Sequence, residues 1–372
     1  MQRIVLHVDL DSFYASLEEL RHEDIRGKPV VICVYSGRSP DSGAVRSATY
    51  KARQLGIKAG MPIVFAKRLA KDKDVAFLPT DIEYYRTVSD RMMEILEEEA
   101  DAIQQVSIDE AYLDVTGRSG DDWDAARKIA EGIKRRVKDE EGLTCSIGIG
   151  PNKLIAKMAS ERQKPDGLTV VKDTQVAEFL RNLPVMELYG IGGKTAEALN
   201  ELGIKTVNEL AEFELKILEE NFGENKAVML QQRAKGIDDS PVEQKEPQQI
   251  SRMGTLKEDS NNLEAIFGKI RELAADVTTK AEKKDVSFRT ISVILIDTGL
   301  KAHTRSETIQ PTDNMDAILK TVKSLLARFL EENSGIMLRR VGIRVSNLTH
   351  NDERGIPRGL DKYLGEGKRG LS

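Results

Sequence analysis

Val8-Asp9-Leu10-Asp11-Ser12-Phe13-Tyr14-Ala15 and, further along, Val106-Ser107-Ile108-Asp109-Glu110-Ala111-Tyr112-Leu113-Asp114-Val115 set carboxylates into apolar β runs. Asp9 ends the run that begins at Ile4. Asp11 lies two positions on, on the same face if extension continues. Asp109 and Glu110 interrupt two apolar runs. Strand neighbours face opposite ways, so both acids share one site only if the backbone bends between them. Charge inside a strand is costly unless it is paired or bound to a cation. Hard oxygen donors without His or Cys suit Mg²⁺ or Mn²⁺. Two such ions about 3.5–4 Å apart can activate a hydroxyl and steady a pyrophosphate leaving group. On pattern alone, solvent-facing acids at turns account for these residues as well as a metal site does.

Outward from these segments, strands and helices alternate. The pattern predicts a strand at 3–10, a helix at 13–25 and a strand at 30–34. A loop at 36–43 and a helix at 45–55 follow, then a strand at 75–79 and a helix at 81–99. Strands at 103–108 and 111–115 flank the acid pair. A helix at 122–139 precedes a strand at 143–149. That alternation predicts an α/β or α+β layer with one central sheet over the first 170 residues. Residues 172–235 read as all-helical. The polar stretch 238–249, with Pro241 and Pro247, reads as a linker. Residues 250–349 follow a βαββαβ order, a small independent domain. The last 23 residues hold five glycines and read as a flexible tail.

At 372 residues, two to four domains are expected. No run of about eighteen apolar residues occurs, so no membrane helix is expected. The N-terminus lacks a signal-peptide layout. The reading is a cytoplasmic protein, monomeric and away from membranes. Cys33 and Cys145 sit in apolar strand-like runs and read as buried free thiols. The four histidines show no zinc-ligand spacing. Net charge is -5, unevenly spread. Residues 1–241 carry 34 Lys and Arg against 42 Asp and Glu; residues 242–349 carry 17 against 15. Composition alone does not identify a nucleic-acid binder.

Three familiar motifs fail. Gly190-Ile191-Gly192-Gly193-Lys194-Thr195 ends like a Walker A loop, but Leu188 stands where its first Gly is required. The dinucleotide fingerprint would need Gly at Thr195. No nucleophile elbow supports a Ser-His-Asp hydrolase.

Two further segments complete a pattern. They are Tyr50-Lys51-Ala52-Arg53-Gln54-Leu55-Gly56-Ile57-Lys58-Ala59-Gly60-Met61-Pro62 and Ser146-Ile147-Gly148-Ile149-Gly150-Pro151-Asn152-Lys153, the latter followed by Lys164-Pro165-Asp166-Gly167. With the two acidic segments, they resemble the ordered motifs of Y-family translesion DNA polymerases, in the archaeal and bacterial DNA polymerase IV branch. The resemblance extends from residue 1 to about 349. It implies an α+β, multidomain right-hand polymerase. A ferredoxin-like palm would occupy 1–12 and 80–171, small fingers 13–79, and a helical thumb with a helix-hairpin-helix 172–238. A linker would follow at 239–249, then a βαββαβ little finger at 250–349 and a tail at 350–372.

The implied activity is template-directed, low-fidelity translesion DNA synthesis. It is a two-metal nucleotidyl transfer from a dNTP to the primer 3′ hydroxyl, with release of pyrophosphate. This length leaves no room for a proofreading domain. Asp9, Asp109 and Glu110 resemble the catalytic, metal-binding triad, with the Leu10 carbonyl as a further ligand of two Mg²⁺, or Mn²⁺ in their place. Tyr14 resembles the steric gate against a ribose 2′ hydroxyl. Tyr50, Arg53 and Lys164 resemble the triphosphate clamp, with Ser47 as a further nucleotide contact. Val34, Ala44 and Gly60 fall at the small roof positions over the nascent base pair. Ser12 departs from relatives that carry an aromatic there. Gly190, Gly192 and Lys194 read as a hairpin gripping a DNA phosphate, with φ > 0 permitted at both glycines. Arg289, Arg339, Arg340 and Arg344 are the implied little-finger phosphate contacts. The expected partners are primer-template DNA and dNTP. Leu360, Tyr363 and Leu364 give the tail the look of a sliding-clamp-binding peptide.

Overall fold

The computed structural model describes residues 3–351. The proposed clamp peptide around Leu360, Tyr363 and Leu364 lies outside them. The chain divides into two compact units. The first comprises residues up to Tyr35 together with Gly43–Lys245; the second comprises Ser36–Ser42 and the residues from Glu246 onward.

The first unit is organised on a five-stranded sheet in the order Ala102–Gln105, Glu110–Asp114, Val5–Leu10, Cys145–Gly150, Leu168–Val170. Alternation along Val5–Leu10 sorts its side chains onto two faces. Leu6, Val8 and Leu10 join a core with Met92 and Leu96 of helix Ile82–Glu98 and with Ala130 and Ile133 of helix Trp123–Glu141. Each such aliphatic side chain contributes about 1.5–3 kcal/mol on full burial. Val5, His7 and Asp9 take the other face, where helix Lys153–Ser160 lies. Gly148 permits that close packing. A Cβ there would stand 2.0 Å from the Ala156 carbonyl oxygen.

A three-stranded sheet, ordered Gly43–Ala48, Val30–Tyr35, Ala76–Pro79, has its own core with Ile57, Ile63 and Ala66. Residues 172–234 form short helices around Leu188, Leu199, Leu210 and Leu230. Cys33 and Cys145 are free and buried, and burial pushes their thiols up to about 11 and about 12. Among the described residues no helix is long and apolar enough to cross a membrane.

The second unit has a four-stranded antiparallel sheet ordered Ala302–Thr312, Val286–Asp297, Leu338–His350, Gln249–Ser260. Helices Leu263–Lys283 and Met315–Glu332 pack on one face, over Ile291, Val293, Val341 and Ile343. The βαββαβ order expected for 250–349 is present.

Several expectations need correction. The predicted helix at 45–55 is strand Gly43–Ala48 followed by the short helix Tyr50–Gln54, because residues 43–48 pair antiparallel with Val31–Tyr35, with a register shift at Arg46. Strand Leu168–Val170 and helix Lys153–Ser160 were not foreseen. Helix Phe13–Arg21 packs against strands Val30–Tyr35 and Gly43–Ala48, and its Phe13, Ala15 and Leu17 join a core that also holds Val30, Ile32, Leu6 and Val8. The stretch read as a linker is anchored at its start. Val242 is buried beside Val5, Tyr112 and Ala156, and Pro241 accepts a 2.8 Å hydrogen bond from Lys153.

Candidate active site

Asp9 lies opposite Glu110 on adjacent antiparallel strands. The backbone bends at 107–109, just before strand Glu110–Asp114. This is the bend that two neighbouring acids need in order to share one site. The Leu10 amide donates to the Asp109 carbonyl at 2.9 Å, which brings the Asp109 turn to the end of strand Val5–Leu10. The Asp109 carboxylate is turned onto the Ser107 hydroxyl at 2.5 Å. Burial pushes the Asp109 carboxyl up, and the charges of Asp9 and Glu110 push it the same way. Among the described residues, the cluster able to offer three ligand atoms within 4.8 Å is His7, Asp9 and Glu110. The structure therefore brings Asp9 and Glu110 together and leaves Asp109 beside them, engaged with Ser107.

Two ammonium groups balance these acids. Lys157 stands 2.6 Å from Glu110 and 3.4 Å from Asp9; Lys164 stands 2.7 Å from Asp9 and 2.9 Å from Glu161. Beneath them His7 is fully buried, its Nδ1 2.8 Å from Ser160 and its Nε2 3.5 Å from Glu110. Glu110 is held down to about 2, first by the His7 ring edge and then by Lys157, against the opposing effect of burial. Lys157, His7 and Ser107 escaped the sequence reading. The signal for Lys157 was Gly148 in Ser146-Ile147-Gly148-Ile149-Gly150, which lets a helix lie on the acid-bearing face. Oxygen donors dominate, and the donor set fits a hard divalent cation.

Around the acids lie the residues expected to meet a nucleotide. Tyr14 is buried, its ring 4.8 Å from that of Tyr85 and its hydroxyl 3.3 Å from Arg46. The Thr49 hydroxyl caps helix Tyr50–Gln54, on which the Arg53 guanidinium lies 4.9 Å from the Tyr50 ring centroid. The Arg53 Nε also donates to the Ala48 carbonyl at 2.9 Å. Ser47 is half-buried on strand Gly43–Ala48, opposite Ile32. The roof candidates converge: Val34 pairs with Ala44, Ala44 bridges to Pro62, and the Gly60 amide donates to the Val45 carbonyl at 2.8 Å. Val34 is 47% exposed.

Asp11, close in sequence to Asp9, belongs to a different environment. The strand stops at Leu10, and Ser12 is left-handed at φ 48°. The extension that would have put Asp11 beside Asp9 does not continue. Asp114 is likewise engaged elsewhere, accepting from the Thr116 amide and hydroxyl.

The expected hairpin is half as predicted. Gly190 has φ 93°, and a Cβ there would meet Arg233 Nη1 at 1.8 Å. Gly192 does not have positive φ. It is extended at φ −89° because it caps helix Gly193–Glu201. The element before the turn is a single 3₁₀ turn, Val185–Glu187. Gly192, Gly193 and Lys194 are exposed at the N-terminal end of that helix.

In the second unit Arg340 and Arg344 alternate with core-facing Val341, Ile343 and Val345. They share the face opposite the helices. Arg289 is exposed at a bulge between Phe288 and Thr290. Arg339 is paired through both Nε and Nη2 to Asp259.

Fold and site together define a class: a sheet-borne acid cluster for metal-dependent phosphoryl transfer, joined to a hairpin module and a separate sheet domain. Comparison with known proteins gives the particular family. The impB/mucB/samB family model matches residues 8–161, its C-terminal domain 247–357, and the IMS family HHH motif 173–204. The chain is 44% identical to DNA polymerase IV of Methanosarcina acetivorans over 94% of this chain and 96% of that one. It is 40% identical to DNA polymerase IV of Nitrosopumilus maritimus, with the same coverage. A Y-family DNA polymerase chimera, Dbh-Dpo4(243-245)-Dbh, superposes with a TM-score of 0.89 at 34% identity, covering 94% of this chain and all of that one. The insertion ternary complex of Dbh DNA polymerase gives 0.69 at the same identity and coverage. The chain belongs to the Y-family of DNA polymerases.

Proposed function

We propose that this protein is a DNA-directed DNA polymerase of the translesion type, extending a primer by transfer from a deoxynucleoside triphosphate at the Asp9–Glu110 pair. The observation that carries this reading is the register pairing of Asp9 with Glu110. It sets two carboxylates of neighbouring strands side by side, with Asp109 at the adjacent bend.

Asp9, Asp109, Glu110 and the Leu10 carbonyl would hold two Mg²⁺ ions, or Mn²⁺ in their place. When bound, such ions acidify a 3′ hydroxyl and offset charge on a departing pyrophosphate. The chain's own residues do the rest. Tyr14 sits under the sugar and excludes a 2′ hydroxyl. Tyr50, Arg53 and Lys164 hold the triphosphate, with Ser47 close by; a guanidinium forks onto phosphate oxygens and an ammonium supplies a point charge. Lys164, paired with Asp9 and Glu161 here, is the cation available to exchange carboxylates for phosphate. Val34, Ala44 and Gly60 keep the roof shallow, which suits damaged template bases and low fidelity. Gly190, Gly192 and Lys194 approach a phosphate of the primer-template without reading its sequence. Arg289, Arg339, Arg340 and Arg344 add backbone contacts.

The family's fold divisions supply the working names of palm, fingers, thumb and little finger for the five-stranded sheet, the three-stranded sheet, the short helices and the second unit. The protein acts as a cytoplasmic monomer under this reading, with a sliding clamp reached through the tail. The test is single-nucleotide extension of a primed template with Mg²⁺. Extension that follows the template and stops on chelation supports the proposal; bound DNA without extension would make the protein a scaffold.

A further inference from the structure

Asp11 is an acid without an assigned task. Its side chain is almost wholly buried, at 4% exposure, and among the described residues it forms no ion pair. Its carboxylate is nevertheless fully used. Oδ1 accepts from the Ser146 hydroxyl at 2.8 Å and lies 3.5 Å from the Tyr50 hydroxyl; Oδ2 accepts from the Asp166 amide at 2.8 Å. Two of these donors belong to opposite sides of the clamp. Tyr50 opens the helix that carries Arg53, and Asp166 stands two residues after Lys164. Ser146 strengthens the link, since its hydroxyl also accepts from the Gly167 amide at 3.3 Å. A buried carboxylate held by dipoles alone fixes the groups that solvate it, because releasing any of them leaves charge unsatisfied.

We propose that Asp11 is the positioning residue that ties the two halves of the triphosphate clamp together, Tyr50 and Arg53 on one side and Lys164 on the other. The proposal rests on the clamp reading above. Asp11 touches no reacting atom in this account. It sets where Lys164 and Tyr50 stand before the nucleotide arrives.

The test is Asp11→Asn in the full chain. It keeps shape and one acceptor oxygen but turns an N–H group toward a donor. Binding of a non-hydrolysable deoxynucleoside triphosphate to the protein–primer-template complex, with Mg²⁺, should weaken by about tenfold, the scale of a hydrogen bond to a charged group. Extension rate at saturating nucleotide should change by less than about threefold, because a positioning loss falls on binding rather than on chemistry. Lys164→Ala alone should also weaken binding, and Asp11→Asn should cost less on top of it than it costs alone, because only the Tyr50 side is left to position. Ser146→Ala should act in the same direction, more weakly. It carries the test if Asp11→Asn lowers the melting temperature enough to perturb folding. Multiplying effects of Asp11→Asn and Lys164→Ala would overturn the proposal. So would a loss confined to the saturated rate with nucleotide affinity unchanged. An unchanged affinity in Lys164→Ala would overturn the clamp reading itself, and the proposal with it.

Discussion

The five-stranded sheet of the first unit and the four-stranded sheet of the second carry charge in opposite ways. On the first, every acid near the site has committed partners. Asp9 and Glu110 hold Lys164 and Lys157, Asp109 holds Ser107, and Asp11 holds Ser146 and the Asp166 amide. On the second, the side chains of Arg340 and Arg344 form no hydrogen bond or ion pair among the described residues. Their neighbours on that face are small hydroxyls such as Ser292 and Ser306, which bond to one another at 2.8 Å. The difference suits the work proposed for each surface. Chemistry at one phosphorus needs groups held to a fraction of an ångström. A grip that slides along a duplex needs positive charge with no fixed geometry.

This contrast can be broken at several points. On the held side, Tyr14→Ala should relax sugar discrimination by about 10- to 100-fold, the equivalent of a steric clash of about 1–3 kcal/mol. Competing ribo- and deoxynucleotide incorporation measures it, and unchanged discrimination removes Tyr14 from the gate. The hairpin separates structure from contact within three residues. Gly190→Ala should cost about 1–3 kcal/mol of stability, since an L residue would be strained at φ 93° and would collide with Arg233. Gly192→Ala should cost less than about 1 kcal/mol, because its backbone is extended and a Cβ meets nothing within 4 Å. Urea melts of the two variants would test this, and equal losses would contradict it. On the loose side, Arg344→Ala should weaken primer-template binding a few-fold on every sequence and lower the salt slope by about 1. A loss that depends on sequence would show that this sheet reads bases.

The acid pair and the βαββαβ domain were legible because their signals are local: apolar residues flanking a charge, and hydrophobic period changing between 2 and 3.6. What escaped was fixed by distant partners. Ala44-Val45-Arg46-Ser47-Ala48 suits a helix by composition, and its pairing with Val31–Tyr35 makes it a strand. Lys157 reaches Glu110 only because Gly148 lets its helix onto the sheet. The Arg339 pairing is equally invisible, since its partner Asp259 lies eighty residues away in sequence. The sequence places Asp11 beside Asp9 only if extension continues, and the chain turns after Leu10 instead. Its bonds to Ser146 and Asp166 required the fold to be seen. Tyr14, Arg53 and Lys164 came from the family resemblance. Their residue types alone fit a buried helix turn and solvated charges equally well.

The most direct test of the central claim is single-nucleotide extension by Asp109→Ala, run beside fluorescence anisotropy on the same primer-template. Asp109 is the decisive position because its carboxylate rests on Ser107, next to the Asp9–Glu110 pair. The account predicts that extension is lost while DNA affinity stays within about twofold of wild type, since phosphate contacts elsewhere carry the binding. Extension at the wild-type rate would contradict it and leave Asp9 and Glu110 without their third acid.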